Sequence, residues 1–258
     1  MSGAVSLPAF FSLICLPSVA STNDEAKRLA QDGAAEGTVV WGLEQTAGRG
    51  RRGRGWHSPP GNLYVSLVLR PGKPAAQAAL IGFVAAVALA EALGDVGLAS
   101  DRLRLKWPND VLVDRAKVAG ILIETSAALG QAPEWLVLGM GVNVAHAPEG
   151  TPYPAITLRT AGLVTLTVEA LLEALAGRLA EWYGRWQAEG FAPVRAAWLK
   201  RAVGLGEPIE VRLERQTLQG RFAALEEDGA LTLELPEGQR RRVTVGDVFF
   251  RQRASGEG

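Results

Sequence analysis

The chain has 258 residues, enough to bury a sizeable core, and its 48% hydrophobic and 21% charged content excludes wholesale disorder. Lys and Arg number 27 against 27 Asp and Glu, so the net charge is zero and a general nucleic-acid binder is disfavoured; any anion site has to be local. One cysteine, Cys15, excludes an internal disulfide and a thiolate zinc cluster, and two histidines, His57 and His146, argue against a His-rich metal centre. A cytoplasmic enzyme is the expectation.

The first segment, LPAFFSLICLPSVAS, has the look of a signal h-region, but no Lys or Arg precedes it and Pro8 and Pro17 interrupt it, so it is expected to stay in the protein. No uninterrupted apolar stretch of membrane-spanning length is evident, so no membrane association is expected. STNDEAKRLAQDG predicts a helix opened by a Thr22–Glu25 capping box and stopped at Gly33. TVVWGLEQ (38–45) and NLYVSLVLR (62–70) predict strands, and residues 75–93 a long alanine-rich core helix. Short strands follow at 103–107, 110–113, 117–125 and 134–144, then helices at 168–187 and 191–200. Beyond Arg201 the texture changes. PIEVRL, GRFAALEEDGALTLEL and RRVTVGDVFF are short β runs broken at Asp228-Gly229 and at Pro236-Glu237-Gly238. The chain therefore divides into an α/β domain, 1–202, and a small β domain, 203–258. Arg240-Arg241-Arg242 is read as a solvated strand face.

Between the first two predicted strands lies GRGRRGRGW (48–56), four glycines, four arginines and a tryptophan. It satisfies G-x-G-x-x-G, but it runs through Pro59-Pro60 into a strand instead of opening a helix, so it is no dinucleotide fingerprint. A kinase loop is excluded because no H-R-D or D-F-G follows. Arginines this close repel one another and glycine adds backbone entropy, so the loop is expected to be mobile until a phosphate-bearing ligand orders it. Trp56 adds a flat apolar surface to such a clamp. A solvated hairpin with incidental arginines stays open as the plainer reading.

KWPNDVLVDRAKVAG (106–120) is the second signal. Pro108-Asn109-Asp110 is ordinary turn chemistry, yet the Asn109 carboxamide also suits an adenine edge, and the Lys117 ammonium suits a carboxylate or phosphate.

Taken together, STN (21–23), EQTAGRGRRGRGW (44–56), SPPGNLY (58–64), KWPNDV (106–111), KVAGILIE (117–124) and GMGVNV (139–144) resemble the catalytic domain of biotin protein ligases. The pieces stand in family order over residues 8–200, and the C-terminal β module is similar to the family's SH3-like domain. The resemblance implies an α/β (α+β) fold: a mixed sheet with helices, like class II aminoacyl-tRNA synthetases, followed by a small SH3-like β-barrel. It also implies two half-reactions, in which biotin and ATP give biotinyl-5′-AMP and a lysine of a biotin carboxyl carrier domain then takes the biotinyl group, with Mg²⁺ assisting at the phosphates.

By the same resemblance Lys117 and Arg51 are the expected catalytic residues. Ser21, Thr22, Asn23, Gln45, Gly48, Arg49, Gly50, Arg51, Lys117, Gly120 and Gly139 are expected around biotin. Arg51, Arg54, Trp56, Lys106, Asn109, Lys117 and Asn143 are expected around the adenylate, and no protein metal site is expected. Only 20 residues precede Ser21, so no helix-turn-helix and no operator binding are expected. Pro60-Gly61-Asn62 is one residue shorter than the family pattern, and His57 stands where an aromatic is common. The family also suggests a homodimer. The competing functions are a lipoate or octanoate protein ligase on a related fold and, in another class, a single-stranded nucleic-acid binder using the arginines and Trp56.

Overall fold

Two antiparallel-rich sheets account for the β runs in the computed structural model, which describes residues 5–126, 132–151 and 153–250. The outermost ends of both expected domains lie outside the described residues. The first sheet is built from β1 (Ser12–Leu16), β2 (Thr38–Gly42), β3 (Leu63–Leu69), β4 (Leu103–Lys106), β5 (Asp110–Val113), β6 (Ala116–Thr125) and β7 (Leu136–Val142). Its order is β1-β2-β3-β7-β6-β5-β4, with β1 parallel to β2 and every other pair antiparallel. The N-terminal segment that mimics a signal is therefore an edge strand, a role that its two flanking prolines bracket.

Alternation along the strands decides what each face of this sheet carries. On β3, Leu63, Val65, Leu67 and Leu69 enter the main core, as do Leu136, Leu138, Met140 and Val142 of β7. That face packs against α3 (Ile81–Asp95) and its neighbours α4 (Val168–Glu189) and α5 (Phe191–Leu199). The expected helix at 75–93 breaks near Leu80, leaving the short α2 (Ala75–Ala78) ahead of α3. Twelve of the fifteen α3 residues are buried, which is why it is apolar all round. By length and composition alone the span Ala75–Asp95 could cross a membrane, although Gln77 and Glu91 interrupt its apolar run. However, 78% of its most apolar window is buried, as suits a core helix.

The opposite face of the sheet carries α1 (Thr22–Gln31), seated on Val40, Val68 and Val137. Ser21, not Thr22, is the N-cap, its hydroxyl accepting the Asp24 N–H at 3.4 Å. The expected Thr22–Glu25 box does not form, because the Thr22 hydroxyl is engaged by Gln45 and the Glu25 carboxylate by Arg28.

The C-terminal module holds β8 (Pro208–Arg212), β9 (Thr217–Leu225), β10 (Leu231–Glu234), β11 (Arg240–Val243) and β12 (Asp247–Phe250), in the order β11-β10-β9-β8-β12. The run RRVTVGDVFF is thus two strands. The chain breaks at 244–246 and crosses to the far edge, where β12 pairs with β8. The module is fastened to the larger domain by the buried Trp107 indole, which donates to Gly229 O at 3.0 Å, and by Arg195, which donates to Leu225 O at 2.6 Å.

Candidate active site

On the α1 face the even residues of β3 meet the odd residues of β7 in rows: Val68 with Val137, Ser66 with Gly139, Tyr64 with Gly141. On the other side of β7, Glu124, Leu122 and Gly120 of β6 complete the same three rows. The first row lies under α1. The other two have glycine at their centre, and the sheet drops away there to form the floor of a cavity of about 330 Å³. A Cβ on Gly139 would lie 2.0 Å from Asn23 Oδ1, and one on Gly141 would lie 2.6 Å from Trp56 Nε1. The glycines thus leave room for Asn23 and Trp56 to settle on the sheet.

At the Gly139 end the side chains are neutral and joined in a chain. Gln45 Oε1 accepts from Thr22 N at 2.8 Å and from Thr22 Oγ1 at 3.0 Å. Gln45 Nε2 donates to Ser58 Oγ at 2.9 Å, and that hydroxyl donates to Trp56 O at 2.8 Å. Behind them Ser66, fully buried, lies 2.8 Å from Thr22 Oγ1 and 2.6 Å from Asn23 Oδ1. Asn23 Nδ2 donates to Glu124 at 2.8 Å, and Glu124 also pairs with Lys27 at 2.8 Å. Each of these polar groups has a partner within the chain that fixes its orientation.

The other end is cationic. Asp110 stands between two ammonium groups, 2.6 Å from Lys117 and 3.6 Å from Lys106. Lys106 is only 6% exposed and lies 3.9 Å from the centre of the Tyr153 ring. Burial lowers its pKa below the ordinary lysine value, and Asp110 offsets only part of that. Burial also pushes the Tyr153 phenol up to about 12, so it is a neutral wall. Asn143, buried at the end of β7, continues the line from Gly139 and Gly141.

The glycine–arginine loop closes the cavity as a tight hairpin. Arg49 bridges Gly55, Trp56 N donates to Gly48 O at 2.9 Å, and residues 51–53 make one 3₁₀ turn with Arg52 at φ 56°. Trp56 lies over Gly120 and Gly141 with its ring centre 5.2 Å from the Lys117 ammonium, and its buried indole N–H has no partner among the described residues. The sequence reading left the four arginines without counter-charges, and here the structure differs. Arg49 pairs with Asp24 on α1. Arg51, Arg52 and Arg54 all face Asp247 on β12, at 3.4, 3.6 and 3.2 Å.

All the expected site residues line this cavity except Gly48, which sits one step back, where a Cβ would meet Ser58 and Trp56 O. Asn109 lines the cavity too, and its carboxamide is half engaged within the chain: Nδ2 donates to Ile121 O at 2.6 Å and Oδ1 accepts from Arg51 at 3.1 Å. Three contributions were missed: Asp110 as the counter-ion of both lysines, Tyr153 from the segment after β7, and Asp247 with Phe249 from the C-terminal module. KWPND contains the first in plain view; no spacing in the sequence points to the other two.

A neutral hydrogen-bonding end, a cationic end and an arginine hairpin over both make a site suited to an elongated ligand that is polar and uncharged at one end and anionic at the other. Residues 15–143 match the Biotin/lipoate A/B protein ligase family, and residues 204–251 match the Biotin protein ligase C terminal domain. The chain is 44% identical over 237 residues to the biotin–[acetyl-CoA-carboxylase] ligase of Paracoccus denitrificans, covering 89% of this chain and 97% of that one. It is 33% identical over 228 residues to the bifunctional ligase/repressor BirA of Escherichia coli, covering 86% and 69% of the two. Among solved structures, biotin protein ligase from Aquifex aeolicus in complex with biotin and ATP superposes with a TM-score of 0.77 at 28% identity, covering 94% of this chain and 99% of the other. The chain belongs to the biotin protein ligase family.

Proposed function

We propose that this ATP-dependent biotin–protein ligase joins biotin and ATP to biotinyl-5′-AMP in the cavity and then passes the biotinyl group to one lysine of a biotin carboxyl carrier domain. In the first step a biotin carboxylate oxygen attacks the α-phosphorus and pyrophosphate leaves. In the second, the carrier amine attacks the acyl carbon, AMP leaves and the amine loses a proton. The observation that carries this reading is the line Gly139–Gly141–Asn143. Two two-residue steps of a strand span roughly 13 Å, the reach needed to hold a polar ring at one end and an acyl phosphate at the other.

Ser21, Thr22, Asn23 and Gln45 suit the ureido end, with Gly48, Arg49 and Gly50 folded above it. Gly120, Gly139 and Gly141 give the ligand's tail a floor under Trp56. Lys117 suits the biotin carboxylate and the α-phosphate together. Bringing a carboxylate onto a polyanion is chiefly a problem of charge and position, and a fixed ammonium that Asp110 orients beforehand answers both. Lys106, Arg51 and Arg54 add positive charge toward the phosphates, Asn109 holds Arg51, and Asn143 serves the nucleotide side.

Magnesium would arrive with the nucleotide. The carboxylates lining the cavity, Asp110 and Asp247, are committed to lysines and arginines, and no group of three or more His, Cys, Asp or Glu gathers among the described residues. Phosphate oxygens and water would therefore hold most of its coordination, and its charge would help neutralise the triphosphate.

The zero net charge supports an enzyme that works without binding DNA, and a single cysteine suits the reducing cytoplasm. A homodimer through a sheet edge is supported by β1, which pairs only with β2 among the described strands. The test is to incubate the protein with ATP, Mg²⁺, a biotin carrier domain and either biotin or lipoate, and to weigh the carrier. Biotinylation without lipoylation is expected. Lipoylation alone, or no modification, overturns the assignment.

A further inference from the structure

We infer that Asn62 is a positioning residue for the nucleotide: its carboxamide turns the chain as it leaves β7 and so sets where Asn143 and Tyr153 stand in the cavity. The stretch Pro60-Gly61-Asn62 has no part in the reaction steps above, yet Asn62 is only 2% exposed and its side chain is wholly engaged with one segment. Its Oδ1 accepts from the N–H groups of Val144, Ala145 and His146 at 2.9, 2.8 and 3.0 Å. Its Nδ2 donates to His146 O at 2.9 Å.

Three successive backbone amides that converge on one oxygen form a concavity of partial positive charge. Buried donors of this kind need an acceptor from within the chain. A carboxylate would answer the amides but set its second oxygen against His146 O, and a hydroxyl is too short to do both. A carboxamide accepts and donates at once, and the two contacts fix which way round it stands. Its reach depends on Gly61, which has a left-handed φ of 98° and where a Cβ would lie 3.3 Å from Ala145 Cβ. Behind it Tyr64 donates to Pro59 O at 2.9 Å and pins the start of the same turn.

The clamped residues follow directly on Asn143. Asn143 N donates to Val118 O at 2.8 Å, and Asn143 O accepts from Leu158 N at 2.8 Å, so its backbone is laced between β6 and the returning chain. That returning chain runs beside Lys117, whose N donates to Pro154 O at 2.7 Å and whose O accepts from Ile156 N at 3.0 Å. The excursion that carries Tyr153 to Lys106 is therefore held at its far end by the Lys117 backbone and at its near end by Asn62. Asn143 and Tyr153 line the cavity, and Asn62 acts through them from behind. At the other end of the cavity the hydrogen bonds of Thr22, Asn23 and Gln45 run among themselves and to Ser58, Ser66 and Glu124. Loss of the Asn62 carboxamide should thus weaken the nucleotide and spare biotin.

This inference rests on the reading that the Asn143 side takes the nucleotide, and Asn62→Ala and Asn62→Asp in the whole chain test it. Biotin affinity is measured by calorimetry without nucleotide, and the KM for ATP by pyrophosphate exchange at saturating biotin. Asn62→Ala is expected to raise the KM for ATP by roughly tenfold, because it strips three buried amides of their acceptor. The Kd for biotin is expected to stay within about twofold, since its contacts lie on other elements. Asn62→Asp keeps an oxygen for the amides, and its KM for ATP is expected about threefold above the parent, short of the alanine variant. A KM for ATP unchanged in both variants overturns the inference. So does a biotin affinity that falls as far as the ATP one, which is what a general loosening of the fold would give. Should the alanine variant not fold, the aspartate variant decides by the same two constants. A parent protein that carries out no exchange defeats the reading of the site, whereas the inference fails in a parent that is fully active.

Discussion

The two ends of the cavity solve different problems with different materials. The Gly139 end is built of hydroxyls and carboxamides linked into one chain from Ser66 through Thr22 and Gln45 to Ser58, and no charged group in that chain faces the ligand. The far end is built of ammonium and guanidinium groups around two carboxylates, Asp110 and Asp247. Neutral hydrogen bonds in fixed orientations discriminate, because a mismatched ligand leaves buried groups unpaired. Fixed charges stabilise what develops in a transition state. The comparison teaches that recognition and reaction can be damaged separately here, even though one strand, β7, floors both.

That separation can be broken most severely at Lys117. Lys117→Ala is expected to lower biotin-dependent ATP–pyrophosphate exchange by roughly 1,000-fold, with the far-ultraviolet circular dichroism unchanged. At the recognition end, Thr22→Val strips Gln45 and Ser66 of a partner. The unpaired groups are worth about 1–3 kcal/mol, a rise of about 10- to 100-fold in the KM for biotin at nearly constant kcat, as steady-state adenylation assays would show.

Between the two ends lies the hairpin. Arg51→Gly removes the bonds to Asn109 and to Gly246 O and the pair with Asp247. It is expected to release biotinyl-AMP about tenfold faster, followed by trapping the free intermediate. An unchanged release rate would mean that the loop is no lid.

The smallest effect concerns acid. Asp24 is pulled upward by its partial burial, but Lys27 and Arg49 outweigh this and hold its carboxyl below the ordinary 3.8. A carboxyl with a lower pKa in the folded state stabilises the fold above the unfolded value and loses that contribution as pH falls through the folded one. The melting temperature should therefore drop below about pH 4, and Asp24→Asn should drop less steeply. Because the Asp24 side chain is 46% exposed, the difference should stay under about 1 kcal/mol.

Much of this arrangement is legible in the residues themselves. A β-branched run finds β2, alternation finds β3, and the apolar composition of 75–93 correctly signals burial on every side. Runs of glycine with arginine, KWPND and the later lysine point to an anion site because nothing structural requires them. What stays hidden is long-range. β1 is masked because an edge strand between prolines looks like a leader, and Leu80 breaks a helix that composition alone would continue. Asp247 lies 193 residues from Arg54 in the chain, and only the crossing of β12 to the far edge of its sheet brings them together. Asn109 is a further case: its contacts with Ile121 O and with Arg51 join segments that local turn chemistry does not connect.

The division of labour is tested most directly by measuring pyrophosphate exchange for Thr22→Val and Lys117→Ala side by side as biotin is raised to saturation. The account predicts that the valine variant recovers to within a few-fold of the parent while the alanine variant stays inactive at every concentration. Recovery of the Lys117 variant at high biotin, or failure of the Thr22 variant to recover, would contradict it.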